Sequence, residues 1–194
     1  MDPTAQEPEP TGALATERLV LRPLALADAA ALALLLAGDW DAVKQTGRMP
    51  YPATERALRR WIALHIAPAS HSFLMLRRAD GLVLGGIGFG GGGALAELGY
   101  VLGRPFWGQG YATEAVRAMM AHAAAIGFAG LEAYSFLDNP ASARVLAKAG
   151  FIDHGVVRRD YPERGGLREV RRFERRTSRP PGWAIRGRRL PDQP

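Results

Sequence analysis

Two glycines, Gly108 and Gly110, separate a short apolar segment from an alanine-rich helical pattern. The apolar segment, Glu97–Leu102, is typical of a strand, and Tyr111–Ile126 repeats small and apolar residues at helical intervals. Glycine tolerates a positive φ and lets a backbone approach a ligand closely. The first N–H groups of a helix lack intrahelical partners and lie in positive potential. This order of elements therefore predicts an anion site that fits a diphosphate.

Other phosphate-binding motifs do not account for the glycine turn. A P-loop is excluded because no Gly-Lys pair followed by Ser or Thr occurs there, and Thr113 stands where a dinucleotide fingerprint requires its third glycine. A glycine pair before a helix is also often a plain turn. The motif by itself leaves both the anion site and the plain turn open.

A second pattern surrounds a helix predicted over Pro140–Ala149. Asn139 suits the N-cap of this helix, its proline suits the first turn, and Gly150 suits the position after its end. These features explain the helix without assigning it a function.

Together, the two patterns resemble motifs of the GNAT N-acetyltransferases. The loop motif of that family begins with Arg or Gln, has Gly three positions later, and ends with Gly or Ala two positions after that. It maps onto Trp107 to Ala112, where Trp107 departs from the family's Arg or Gln. The family's second motif maps onto Asn139, Ser142, Lys148, Gly150 and Phe151. The segments WGQGYATEA and ERLVLRPL are similar to the RimJ/RimL-like branch, and the resemblance covers roughly residues 16–176.

Local patterns along the chain predict the element order β-α-α-β-β-β-α-β-α-β-β, a mixed α+β arrangement. Before the glycine turn, the predicted elements are a strand over Glu17–Leu24, a helix over Ala29–Ala37 capped by Asp28, an irregular stretch over Asp39–Tyr51, a helix over Glu55–Ile66 capped by Thr54, and a hairpin of Ser72–Arg77 and Leu82–Phe89. After it, the predicted strands are Gly130–Leu137, Phe151–Arg159 and Leu167–Arg175.

The family resemblance implies a GNAT fold. That fold has a central, mostly antiparallel mixed sheet of about six to seven strands, flanked by about four helices. The family's fourth and fifth strands splay apart, and they correspond here to Glu97–Leu102 and Gly130–Leu137. We expect one domain over residues 13–177, a disordered N-terminus over 1–12, and a Pro- and Arg-rich tail over 178–194.

Composition narrows the possible chemistry. There is no cysteine, and the four histidines have no zinc-ligand spacing, so neither a thiol nucleophile nor a metal site is expected. No apolar run reaches the length of a membrane span, and the acidic, Pro-rich N-terminus is unlike a signal peptide. We therefore expect a cytoplasmic protein, as a monomer or homodimer, with no membrane partner.

Positive charge is concentrated at the C-terminal end of the chain. Residues 155–194 contain twelve Arg against five Asp or Glu, whereas the whole chain carries a net charge of +6. The simplest interpretation is a solvated, arginine-rich strand pair and tail. Such a surface can also attract RNA or the phosphates of a cofactor.

The resemblance implies acetyl-CoA as co-substrate. Its pantetheine arm would pair with the backbone of the splayed strand, and its diphosphate would lie on the glycine loop. The residues implied to bind acetyl-CoA are Leu98, Tyr100, Val101, Leu102, Trp107, Gly108, Gln109, Gly110, Tyr111, Ala112, Thr113, Asn139 and Ser142.

The reaction implied by the resemblance is attack of an amine on a thioester. A primary amine is mostly protonated at neutral pH, so a base or a water chain assists it. Glu97 is the candidate base, Ser142 the candidate donor to the departing thiolate, and Tyr134 the alternative acid. Glu97 could instead be a solvated strand residue, and Ser142 a helix-turn residue that contacts only backbone.

The acceptor is predicted to be a protein N-terminal α-amine or a small amine such as an amino acid, polyamine or antibiotic. The irregular stretch provides candidate substrate-binding residues, Trp40, Met49 and Tyr51. Trp40, like Trp61 in the following helix, is more often an ordinary core residue than a recognition residue. Two other functions remain open, a non-catalytic acyl-CoA sensor and an RNA- or ribosome-associated module that uses the arginine-rich end.

Overall fold

The computed structural model describes residues 12–66, 71–91 and 95–177. The predicted disordered N-terminus, apart from Gly12, and the predicted tail lie outside these residues. In the described part, the α+β fold expected from the sequence is confirmed.

One eight-stranded sheet forms the body of the protein. Its strands are β1 Leu14–Ala15, β2 Leu19–Pro23, β3 His71–Arg77, β4 Val83–Gly90, β5 Ala96–Leu102, β6 Gly130–Phe136, β7 Ile152–Tyr161 and β8 Gly166–Arg176. They lie in the order β1-β2-β3-β4-β5-β6-β8-β7. Every neighbouring pair is antiparallel except β5 and β6. The sheet has one strand more than the upper expectation, because the two-residue β1 adds an edge beside β2.

Five α-helices accompany the sheet in the described residues: α1 Ala29–Leu36, α2 Trp40–Val43, α3 Glu55–His65, α4 Tyr111–Ala125 and α5 Pro140–Lys148. Local signals account for several boundaries. The Thr54 hydroxyl accepts the N–H of Ala57 at the start of α3, and Gly150 has a φ of +83° after α5.

One prediction about the first helices was wrong, and a second was confirmed only in part. The stretch expected to be irregular contains α2, whose first turn is capped by the Asp39 carboxylate accepting the Ala42 N–H at 3.0 Å. Asp28 occupies the N-cap position of α1, as predicted, but its side chain makes no capping hydrogen bond there. Its carboxylate instead accepts the N–H of Ala25 and forms an ion pair with Arg22, because the chain makes a 3₁₀ turn before α1.

The two faces of the sheet carry separate cores. Helices α4 and α5 cover one face, and α1 to α3 cover the other. Side chains of β5 alternate between them, because successive strand residues point to opposite faces. Leu98 and Leu102 pack in the first core, and Val101 packs in the second. Glu97 therefore faces the side of α1 to α3, whereas Tyr100 faces α4 and α5.

The parallel pair β5 and β6 forms a fork. The strands pair at only three positions, from Ala96 opposite Leu131 to Leu98 opposite Ala133. From Gly99 to Leu102, β5 pairs only with β4. The splay expected for these two strands is thus present, and it leaves one backbone edge of β5 without a partner strand.

Candidate active site

A cleft of about 1090 Å³ opens at the fork. Its walls include both strands of the fork, the glycine loop before α4, the first turn of α5, and the segment between α2 and α3. Because the fork passes through the sheet, the cleft is reached by side chains from both faces. This geometry can bring two substrates together from opposite sides.

The glycine loop has the backbone that the sequence predicts. Gly108 and Gly110 have φ values of +74° and +85°, and Gly110 is the N-cap of α4. A side chain at either position would be strained, since L-residues rarely adopt such φ values. The first N–H groups of α4, from Tyr111 to Thr113, lie beside the cleft. The loop therefore fits an anion such as a diphosphate.

Glu114 braces this loop rather than facing a ligand. Its carboxylate accepts the Thr16 hydroxyl at 2.6 Å and the Arg18 backbone N–H at 2.8 Å. It also forms an ion pair with the Arg18 guanidinium, which donates to the Gln109 carbonyl at 3.0 Å. Partial burial would raise the pKa of Glu114, but the hydrogen bonds from Thr16 and Arg18 outweigh it, so the pKa lies below its usual value. The carboxylate is thus a fixed link between the loop and the β1–β2 turn.

Trp107 and Gln109 also hold the loop. The indole N–H of Trp107 donates to the Leu102 carbonyl at 2.7 Å, and the Gln109 amide donates to the Pro105 carbonyl at 2.8 Å. Trp107, which departs from the family motif, therefore ties the loop to the end of β5.

Ser142 meets Tyr100 across the mouth of the fork. Their side-chain oxygens lie 2.8 Å apart. Burial raises the pKa of Tyr100 to about 12, despite a smaller opposing effect of the hydrogen bond with Ser142, so the phenol stays protonated at neutral pH. The side-chain oxygen Oδ1 of Asn139, the N-cap residue of α5, accepts the Ser142 backbone N–H at 3.0 Å. Ser142 thus contacts another side chain, not backbone alone.

Glu97 lies on the opposite face of β5, where it meets two arginines. Arg159 Nη2 donates to its Oε2 at 2.9 Å, and Arg48 Nη2 lies 3.6 Å from the same oxygen. In the described residues, no hydrogen bond reaches Oε1 of Glu97. One oxygen of the carboxylate is therefore held, and the other can accept a proton or an ammonium.

Tyr134 lies next to this group on β6. The Arg159 guanidinium lies 3.8 Å from the centroid of the Tyr134 ring. Burial and the neighbouring Glu132 raise the pKa of Tyr134, which keeps its hydroxyl protonated. Arg172 in turn donates to Glu132 at 3.1 Å.

The segment between α2 and α3 forms the wall facing Glu97. Met49 lines the cleft and is only 3% exposed. Trp40 and Tyr51 do not line it: they are 42% and 44% exposed, and the centroids of their rings lie 4.8 Å apart. Acceptor binding by these three residues stays a prediction, and the geometry favours only Met49.

Arg164, from the turn between β7 and β8, fastens this wall. It is buried, and its Nη2 donates to the carbonyls of Val43 and Met49, each at 2.8 Å. The ring of Tyr161 packs so closely on Gly47 that an added Cβ would lie 2.3 Å from it. The wall and the β7–β8 hairpin therefore form one unit.

Four residues of the cleft and its wall were not predicted as site residues: Arg48, Arg159, Arg164 and Glu132. For Arg159 and Arg164, the only signal was the excess of arginine after residue 155, and its interpretation as a solvated surface was wrong for both. Arg48 and Glu132 lie before that region and had no such signal. Arg159 and Arg164 point inward because the β7–β8 hairpin covers the acceptor side of the cleft. In the described ranges, no group of three or more potential ligands could hold a metal ion, and no helix is long and apolar enough to cross a membrane.

Comparison with known proteins identifies the family. Residues 18–152 match the acetyltransferase (GNAT) domain family. YoaA of Bacillus subtilis, an uncharacterized N-acetyltransferase, is 30% identical over 162 residues, covering 78% of this chain and 89% of that protein. The chain belongs to the GNAT acetyltransferase family.

Solved structures share the fold. A probable GNAT acetyltransferase from Chromobacterium violaceum is 26% identical, with a TM-score of 0.74, over 86% of this chain and 87% of that chain. RimL, a ribosomal L7/L12 alpha-N-protein acetyltransferase solved with coenzyme A, has a TM-score of 0.72 at 22% identity, over 84% of this chain and 97% of that one. The resemblance to RimL-like proteins thus extends to the fold.

Proposed function

We propose that the protein transfers the acetyl group of acetyl-CoA to a primary amine by direct attack within a ternary complex. The fork between β5 and β6 carries the proposal, because it joins the glycine loop and Ser142 on one face to Glu97 on the other. Membership in the GNAT family and the coenzyme A complex of RimL support the choice of donor.

Acetyl-CoA fits the donor side of the cleft. Its diphosphate would lie on the N–H groups that follow Gly110, and its pantetheine amides would pair with the unpartnered edge of Gly99–Leu102. With acetyl-CoA bound in this way, the thioester would lie at the mouth of the fork, near Tyr100 and Glu97.

The amine approaches from the face covered by α1 to α3. The neutral amine attacks the thioester carbonyl carbon, a C–N bond forms, and the C–S bond breaks. The proton released by the amine passes to Glu97, directly or through water. Ser142 donates a hydrogen bond to the departing thiolate, supported by the protonated Tyr100 behind it. Tyr134 is the alternative donor. The thiolate finally takes a proton from solvent.

A turnover assay tests the proposal. The protein is incubated with acetyl-CoA and a panel of amino acids, N-terminal peptides and polyamines, and the release of coenzyme A and the acetylated products are measured. Acetylation of at least one amine class is expected. Tight acetyl-CoA binding by calorimetry without acetylation of any amine would instead indicate a sensor of acyl-CoA.

A further inference from the structure

The acceptor side of the cleft holds more positive charge than its candidate base requires. Glu97 is already neutralised by Arg159, whose guanidinium donates to it at 2.9 Å. Arg48 adds a second cation 3.6 Å from the same oxygen, and its side chain is 57% exposed. Across the described ranges, Arg48 makes no side-chain hydrogen bond. Its five N–H donors are therefore available to a ligand in the cleft that it lines.

The neighbouring carboxylate does not cancel this charge. Glu132 also lines the cleft, on the strand beside Glu97, but Arg172 donates to it through both Nε and Nη2. Arg172 also forms an ion pair with Glu174, so its charge is shared by two carboxylates. Arg48 differs from Arg159 and Arg172 because, in the part of the chain that the structure describes, its guanidinium N–H groups are not engaged in hydrogen bonds.

The backbone on both sides of Arg48 is fixed. Before it, Gly47 packs against the Tyr161 ring with no room for a Cβ. After it, the Met49 carbonyl accepts Nη2 of Arg164 at 2.8 Å. Arg48 therefore projects from a short segment that is anchored at both ends. Such anchoring reduces the entropy lost when its side chain binds a ligand.

We propose that the acceptor is a primary amine with a carboxylate a few bonds away, that Arg48 binds the carboxylate, and that Oε1 of Glu97 faces the amine. This inference rests on the function proposed above. The planar guanidinium of arginine matches a carboxylate with two parallel hydrogen bonds. Arg48 and Glu97 lie side by side, 3.6 Å apart. They therefore match a zwitterion whose ammonium and carboxylate are similarly close to each other.

Polyamines fit this arrangement poorly, since a second ammonium would lie against Arg48. Two sources provide the required chemistry: a free α-amino acid, and a peptide whose first residue is Asp or Glu. In both, the amine and carboxylate are separated by only a few bonds.

Matched acceptors test the inference. Leucine is compared with leucinamide, and a peptide amide that begins with Asp is compared with one that begins with Asn, with putrescine as a dication. The wild type should show a kcat/KM about tenfold to a hundredfold higher for the carboxylate member of at least one pair, the range for a hydrogen-bonded charge. The pair that shows it identifies the source.

Two variants show whether Arg48 is responsible. Arg48→Gln should reduce the preference to about one, whereas Arg56→Gln, which changes an exposed arginine on α3 outside the cleft, should retain it. Equal use of both members of each pair by the wild type, or a preference that survives in Arg48→Gln, would overturn the inference.

A binding measurement separates this inference from the proposed reaction. Calorimetry compares the same acceptors with wild type and Arg48→Gln in the presence of coenzyme A. Carboxylate-dependent binding that Arg48→Gln abolishes, without turnover, would support the acceptor chemistry while refuting the acetyl transfer. Turnover with no carboxylate preference would support the acetyl transfer and refute the acceptor chemistry.

Discussion

The hydroxyl of Ser142, in the first turn of α5, lies 2.8 Å from the phenolic oxygen of Tyr100 on β5. This contact spans the fork where the two strands separate, and it joins residues 42 positions apart in the chain. Since Tyr100 stays protonated, its hydroxyl can donate to Ser142 Oγ and leave the Ser142 proton directed elsewhere. The pair is thus suited to stabilise negative charge that develops at the mouth of the fork.

The first prediction concerns this pair. Ser142→Ala should lower turnover about ten- to a hundredfold, the value of one hydrogen bond to a developing charge, and change the KM for acetyl-CoA little. Tyr100→Phe should produce a smaller loss in the same direction, because it removes only the supporting oxygen. Steady-state kinetics measures both.

Acyl donors with thiols of different acidity provide the sharper comparison. A more acidic thiol needs less stabilisation as it departs, so Ser142→Ala should lose less activity with it. If wild type and variant respond identically to thiol acidity, Ser142 has no role at the sulfur and Tyr134 becomes the better candidate.

The second prediction concerns the glycine loop. Gly110→Asp should abolish acetyl-CoA binding, because the Cβ would disturb a backbone with a φ of +85° and the carboxylate would repel the diphosphate. Gly81→Asp is the matched control, since Gly81 has a φ of +70° in the hairpin between β3 and β4, outside the cleft. Calorimetry should show near wild-type affinity for the control. Similar affinity for Gly110→Asp would exclude the diphosphate assignment.

The third prediction concerns the base. Glu97→Gln should lower turnover by about 10²–10⁴, the usual range for loss of a general base, with acetyl-CoA affinity hardly changed. Glu132→Gln is the control because Glu132 lies beside Glu97 on β6, lines the same cleft and is also held by an arginine. It should lose much less activity. Equal losses across pH 6–9 would indicate that the charge balance of the cleft, not proton transfer by Glu97, limits the reaction.

Local sequence patterns were sufficient for the elements that carry their own signals. The hairpin of β3 and β4, the Thr54 cap and the glycine after α5 each depend on a few adjacent residues, and each is present. The helix α2 has a comparable local cap in Asp39, but its four residues are too few to show a helical period in the sequence. Its capping residue, Asp39, is also held by Arg104 at 2.6 Å, a contact between residues 65 positions apart.

The arginines on the charged side of the cleft could not be predicted from local sequence patterns. Arg159 reaches Glu97 across 62 positions, and Arg164 reaches the Val43 carbonyl across 121. An arginine in an alternating strand looks the same in sequence whether its face is solvated or covered. Only the placement of the β7–β8 hairpin against the α2–α3 segment decides which arginines become part of the site.

The last prediction concerns pH and stability, through two histidines on the α4 side of the sheet. The rings of His71 and His122 lie 5.3 Å apart, and Phe73, Phe89 and Phe128 surround them. Burial lowers the pKa of both histidines, and for His122 the nearby His71 lowers it further. Nε2 of His122 has no hydrogen-bond partner in the described residues, so nothing there stabilises a proton on it.

Proton linkage determines whether these histidines make the folded protein more or less stable as the pH falls. An unfolded histidine has a pKa of about 6.5, whereas the folded pKa values of His71 and His122 both lie below it, so the unfolded chain binds more protons as pH falls. The histidine contribution to the free energy of unfolding should therefore be complete above pH of about 6.5 and decrease below it, until the folded pKa values are passed. His122→Phe keeps an aromatic ring in the cluster and removes one of the two sites. Denaturant unfolding at pH 8 and pH 5.5 should show a smaller loss of stability in the variant than in the wild type. An identical loss in both proteins would assign the acid sensitivity to other groups.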